Sequence, residues 1–177
     1  MSRYRGVALL AIVMMLPTVS PAQPTAPEVP AEISVPPGHK LLFKVEAEGV
    51  QIYKAVEGKS GKLEWILEAP LAELFDGKKK AGYHYDNPPS WEAADGSKVV
   101  KSGDAKSAPA PNPKKDIPWL LVKVKAEAGK AGAFSPVVYI QRLQTAGGKA
   151  PAAAPKRVGT KVGSAYKAVY YFYGTVS

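Results

Sequence analysis

His84 stands between Tyr83 and Tyr85, with Asp86 two residues on and Trp91-Glu92 shortly after. Alternate residues of a strand share a face, so His84 and Asp86 can point together. Glu92 on a neighbouring strand can then join them as an acid/base partner or a third ligand. That trio would suit a small hydrolase or isomerase, with His84 and Glu92 as its catalytic candidates. The competing reading is a histidine buried and hydrogen-bonded within the packing, and a lone His with nearby acids favours it. Arg142 interrupts an apolar and aromatic run beside Gln141. A buried guanidinium requires an anionic partner, and Glu92 or Asp95 is the expected one, with a ligand carboxylate or phosphate as the alternative. Tyr83, His84, Tyr85, Trp91, Glu92 and Arg142 together form the candidate ligand-binding set.

The aromatic residues widen that set without sharpening it. Trp65, Trp91, Trp119, Tyr53, Tyr83, Tyr85, Tyr166, Tyr170, Tyr171 and Tyr173 could stack a sugar or an aromatic ligand, but ring side chains at alternating strand positions are more often core. Tyr170 to Tyr173 is aromatic on both faces of a strand, so its outer face must be covered or form a sticky surface. Other chemistries find no residues to carry them. The chain has no cysteine, which removes thiol catalysis, thiolate metal sites and disulfides. The only other histidine, His39, falls in the turn before the first strand, so neither a metal nor a cofactor is expected. Gly147-Gly148 lacks the Lys and Ser/Thr of a phosphate loop, Asp95-Gly96-Ser97 reads as a turn, and no hydrolase elbow or zinc-protease spacing occurs.

The elements that must position these residues read as strands throughout. Leu41, Phe43, Val45 and Ala47 alternate with Lys44, Glu46 and Glu48, the period of a half-buried strand. Gly49 is expected to break or bulge that strand before Val50 to Val56 resumes it. A turn over 57–62 leads to a second strand at Leu63 to Leu67, which Ala69-Pro70 should end; Ala72 to Phe75 is left as one helical turn or a brief strand. Ala81 to Tyr85 and Ser90 to Ala93 flank an Asn87-Pro88-Pro89 bend, and Asp95-Gly96 predicts a two-residue hairpin. After a polar loop over 102–115 come strands at Trp119 to Val124, at Val137 to Leu143 and, beyond the Gly147–Gly159 loop, at Tyr166 to Tyr173. About eight or nine short strands with almost no helix predict an all-β domain, either a single antiparallel sandwich or a small barrel.

Residues 1–22 read as an export signal: Arg3 and Arg5, an apolar run from Gly6 to Leu16, then Ser20-Pro21-Ala22 as a cleavage site. The run is too short for a resting membrane helix, so no transmembrane segment is expected after cleavage and the product is periplasmic or extracellular. Residues 23–35, rich in Pro and Ala, are expected to be a disordered linker, and 36–174 to be the β-domain. The formal charge of +9, two units of it from Arg3 and Arg5, raises the possibility of adhesion to anionic polymers. Lysines that alternate with apolar residues on strands point instead to a solvated face, and no nucleic-acid partner is expected.

An ordered series of motifs carries a further signal: Pro37-Gly38, Gly49-Val50-Gln51-Ile52-Tyr53, Trp65 with Ala69-Pro70, Gly82-x-His84-Tyr85, Pro89-x-Trp91-Glu92 and Asp95-Gly96-Ser97. It continues through Ile117-Pro118-Trp119-Leu120-Leu121, Ile140-Gln141-Arg142 and Thr145-x-Gly147-Gly148. Over about residues 36–173 the chain resembles a family of small secreted proteins from bacteria, fungi and plants, catalogued only as a domain of unknown function. Some fungal members carry a malate dehydrogenase label, but this chain has no Gly-rich strand-to-helix fingerprint to hold a dinucleotide. Many relatives have a cysteine just after the Gln-Ile-Tyr and another after the Gly-Gly loop, where this chain has Ala55 and the surroundings of Ala154. A bridge between them would close a loop of about 100 residues, worth about 4 to 5 kcal/mol. Its absence here implies that the bridge is not the family's chemistry. The expectation is therefore a non-catalytic secreted domain that binds a small molecule, a glycan or an envelope component.

Overall fold

The structure, a computed structural model, describes residues 25–176; the expected signal at 1–22 lies outside them. Nine antiparallel strands follow one another: β1 (His39–Glu57), β2 (Leu63–Asp76), β3 (Lys79–Tyr85), β4 (Ser90–Ala93), β5 (Lys98–Lys101), β6 (Lys106–Ala108), β7 (Trp119–Ala126), β8 (Val137–Gly147) and β9 (Lys161–Thr175). Chain neighbours pair from β1 to β5 and again from β7 to β9. Two long-range pairings then close the sheet on itself, β9 along β1 and β5 along the end of β7. Every strand but β6 belongs to the ring, and β6 sits on the first half of β7. The domain is therefore an up-and-down barrel rather than a sandwich, and it leaves no long free edge.

Alternation decides which side chains enter the ring. Val45 and Ala47 of β1, Leu74 of β2, Val122 and Val124 of β7, Ile140 of β8 and Phe172 of β9 are buried inside it. Lys44, Glu46 and Glu48 lie exposed on the outer face of β1. No helix among the described residues is long and apolar enough to cross a membrane. One end of the barrel is plugged by Phe43, Phe134 and Phe172, with Phe172 at 4.7 Å from Phe43 and 4.8 Å from Phe134 between ring centres. The β7–β8 loop brings Phe134 there because Ser97 Oγ accepts its amide at 3.0 Å. Asp95 fixes the same loop, accepting from Ala133 N and from Ser97.

A second apolar cluster lies outside the ring. Leu121, Leu143, Tyr171 and Tyr173 pack under a short 3-10 turn, Ala31–Ile33. Ile33 is 0% exposed, its carbonyl accepts from Gln141 Nε2 at 2.7 Å, and Gln141 Oε1 accepts from Tyr173 OH at 2.7 Å. The doubly aromatic strand is thus covered, and the segment expected to be a disordered linker supplies part of the cover. Its Pro/Ala composition cannot build a core alone, but an apolar sheet face gives Ile33 somewhere to bury.

Several local expectations change. β2 runs through Ala69-Pro70 to Asp76, absorbing Glu68 as a bulge opposite Ile52 and Tyr53. Ala72 to Phe75 is strand accordingly. Gly49 is no bulge: β1 passes through it in register because a Cβ there would lie 2.2 Å from the Leu71 carbonyl oxygen, so only glycine allows the close pairing. The irregularity falls instead between Leu41 and Phe43, which turns Leu41 to the outer cluster, away from Phe43. The Asp95-Gly96 turn has positive φ at Gly96 alone, with Gly96 N donating to Ala93 O at 2.9 Å, so it is longer than a two-residue hairpin. The loop that would carry the relatives' second cysteine is held here by hydrogen bonds. Ala55 N donates to Thr160 O at 2.8 Å, Gly159 N to Ala55 O at 2.9 Å, and Trp65 Nε1 to Ala153 O at 2.9 Å.

Candidate functional site

Opposite the phenylalanine plug the barrel is hollow. A cavity of about 340 Å³ occupies this end, and every strand of the ring lends it a side chain. Pro89 and the loop from Ala105 to Pro118 form its rim, and Leu120, Val122 and Leu67 give it a mostly apolar wall. A ring of about eight strands is just wide enough to be filled by side chains or to hold one small ligand, and this one does the first at one end and leaves room for the second at the other.

The polar atoms in that wall are few. His84 of β3 stacks on Trp91 of β4, ring centres 4.3 Å apart and nearly parallel, with Tyr170 edge-on to both at 5.1 and 5.8 Å. His84 Nδ1 lies 2.9 Å from the Ser90 carbonyl, which can only accept, so Nδ1 carries the proton and Nε2 is a bare acceptor. Burial pushes the imidazole down to about 3, and the Arg142 charge adds to the effect against the Ser90 hydrogen bond, so His84 is neutral at any ordinary pH. Burial also raises the Tyr53 and Tyr170 phenols, with Arg142 offsetting part of the rise. Tyr53 donates to the Gly148 carbonyl at 2.8 Å.

Arg142 enters the same cavity from β8 and is 8% exposed. Its Nη2 donates to Pro118 O at 2.9 Å, while its Nε is buried with no acceptor. Among the described residues it has no ion pair, and no Asp or Glu lines the cavity. The partners expected for it lie elsewhere. Asp95 is at the plugged end, and Glu92 is on the outer face, accepting a hydrogen bond from Tyr85. Gln51 Nε2 and Trp91 Nε1, both lining the cavity, are likewise buried donors without acceptors.

The candidate set therefore splits. His84, Trp91 and Arg142 meet inside the barrel. Tyr83, Tyr85 and Glu92 face outward, because β3 and β4 pair His84 with Trp91 and Tyr83 with Glu92. His84 and Glu92 are on opposite faces of the sheet and form no acid/base pair. Asp86 does not join His84 either, since at φ 70 it leaves the strand and lies 4.0 Å from Lys98. Among the described residues no group of three His, Cys, Asp or Glu is placed to hold a metal ion. Tyr53 and Tyr170, named in the sequence only among the rings able to stack a ligand, line the cavity too, and Gln51 and Lys101 join them without having been singled out. Gln51 left a usable signal: it stands in phase with inward-facing Val45 and Ala47, a polar side chain at an interior position.

Residues 77–174, more than half of the chain, match the family described as Protein of unknown function (DUF3455). The chain belongs to this family. The matched segment runs from just before β3 nearly to the end of β9, so it includes His84, Trp91, Arg142 and Tyr170. β1 and β2, which complete the ring and bring Gln51 and Tyr53 to the DUF3455 cavity, precede the match. No curated protein and no solved structure matches the chain.

Proposed function

We propose that this DUF3455 protein works outside the cytoplasm as a non-catalytic binding protein that takes one small, largely apolar molecule into the open end of its barrel. The observation that carries the reading is about 340 Å³ of mostly apolar space to which every strand of the ring lends a side chain. A cavity of that size, open at one end, falls in the range that small ligands occupy. Export rests on the sequence of residues 1–22. Acid/base chemistry draws less support, because its two candidate residues are separated by the sheet and His84 is held neutral. A glycan or envelope platform would need exposed rings, and Tyr83 at 43% exposure is the one broadly exposed ring among the described residues. Adhesion to polyanions is disfavoured by the acids interleaved with the lysines, as in Lys161 with Glu68 at 2.7 Å and Lys98 with Glu127 at 3.3 Å.

The test is a fluorescence titration of the purified protein with the neutral apolar dye N-phenyl-1-naphthylamine. Saturable binding is expected, with loss of affinity in Val122→Trp, which fills the cavity from its wall. Absence of saturable binding, or equal binding by a folded Val122→Trp variant, would refute the reading.

A further inference from the structure

We propose that the barrel selects a monocarboxylate, an organic acid whose apolar body fills the cavity and whose headgroup is received by Arg142, Gln51 and Trp91. The inference rests on the binding function proposed above and specifies its ligand. Three side chains that line one cavity each carry a buried donor without an acceptor: Arg142 at Nε, Gln51 at Nε2 and Trp91 at Nε1. A buried donor left unpaired costs about 1 to 3 kcal/mol, more when charged, and native proteins keep only a few; of the four among the described residues, only Trp119 Nε1 lies on a side chain outside the cavity lining. A ligand that brings acceptors into the cavity supplies what this lining lacks.

The charge balance specifies the acceptor. A guanidinium cannot shed its proton to escape burial, so it needs an anion, and among the described residues no acid lines the cavity. His84 adds no second cation, and the other two donors are neutral. One fixed positive charge at depth calls for one negative charge; the guanidinium fork accepts carboxylate and phosphate geometry alike, but a carboxylate balances the charge where a dianionic phosphate exceeds it. Lys101 also lines the cavity, where β5 reaches the rim, and adds a second attraction for an incoming anion without being buried beside the headgroup. The rest of the wall is apolar. Taking about 30 Å³ for each water-sized unit, the space suits a body of about ten to fifteen non-hydrogen atoms.

The experiment compares acids with matched alcohols: octanoate against octanol, and 2-naphthoate against 2-naphthalenemethanol, by calorimetric titration at pH 7.5. Each acid should bind at least about tenfold more tightly than its alcohol, the usual effect of a charged hydrogen bond. Arg142→Met should abolish that ratio, the acid losing at least about tenfold more affinity than its alcohol. Saturable alcohol binding with no preference for the acid would overturn the headgroup assignment and leave the cavity function standing; failure of all four compounds and of the neutral dye would overturn both. A preference retained in Arg142→Met would also overturn it. Should that variant not fold, 15N–1H spectra of the unmodified protein decide the matter. Octanoate should move the Arg142 Nε–H and Trp91 indole N–H signals downfield and octanol should not, and unmoved signals at saturation would refute the proposal.

Discussion

His84 makes the stability of this protein depend on pH in a window where the other imposed shifts are silent. Its imidazole titrates at about 3 in the barrel and at 6.5 when the chain is unfolded. Between those values the unfolded chain takes up a proton that the folded one refuses, so stability is full above pH 6.5 and falls as the pH drops towards 3. Well inside the window the slope is about 1.36 kcal/mol per pH unit, which gives a loss of about 2 kcal/mol between pH 7.5 and pH 5. Asp95, held at about 2 by its bonds to Ser97 and Ala133 against an ordinary 3.8, acts only below the pH range of 5 to 7.5, and the shifted tyrosines and lysines move upward, above it. The perturbation is His84→Asn, whose amide N–H can replace Nδ1–H towards the Ser90 carbonyl but does not titrate. Urea unfolding followed by circular dichroism at pH 7.5, 6.5, 5.5 and 5.0 should show the two proteins converging by about 2 kcal/mol as the pH falls. A difference that stays constant within about 0.5 kcal/mol, or a native histidine resonance titrating near 6.5 that His84→Asn removes, would refute the reasoning.

Phe172→Ala opens the plugged end at a fully buried ring and should cost about 3 to 5 kcal/mol in equilibrium unfolding; a cost below 1 would contradict the packing described. Ile33→Ala should cost about 2 to 5 kcal/mol and increase binding of a hydrophobic dye at the outer face of Tyr171 and Tyr173, whereas an unchanged melting point would show that the turn over Ala31–Ile33 holds nothing. In Gly49→Val the new Cβ meets the Leu71 carbonyl at 2.2 Å, so β1 and β2 must part locally. Amide exchange should accelerate on both strands and stability fall by at least about 1 to 3 kcal/mol.

Most elements were legible because alternation is local: Val45, Ala47 and their charged neighbours state a half-buried strand without reference to anything else. Arg142 could be placed in the interior on the same ground, as a polar residue in apolar phase. Its partner could not, since nothing along the chain says what lies across a barrel. The faces of β3 and β4 depend on one number, the length of the bend between them. His84 opposes Trp91 and not Glu92 because of it, and a shift of one residue would have reversed the arrangement. The bulges at Leu42 and Glu68 changed phase in the same unannounced way.

The sequence by itself determined that this chain makes antiparallel strands, which residues alternate, and that a guanidinium would be buried among apolar neighbours. Tertiary structure alone decided that the sheet closes through β1–β9 and β5–β7, that one end fills with phenylalanine while the other stays hollow, and that the linker's Ile33 covers the outer tyrosines. The physical reason is that closure is made by backbone hydrogen bonds, which every residue but proline can donate, and hollow space is a difference between distant side-chain volumes. Neither leaves a mark on any local stretch of residues.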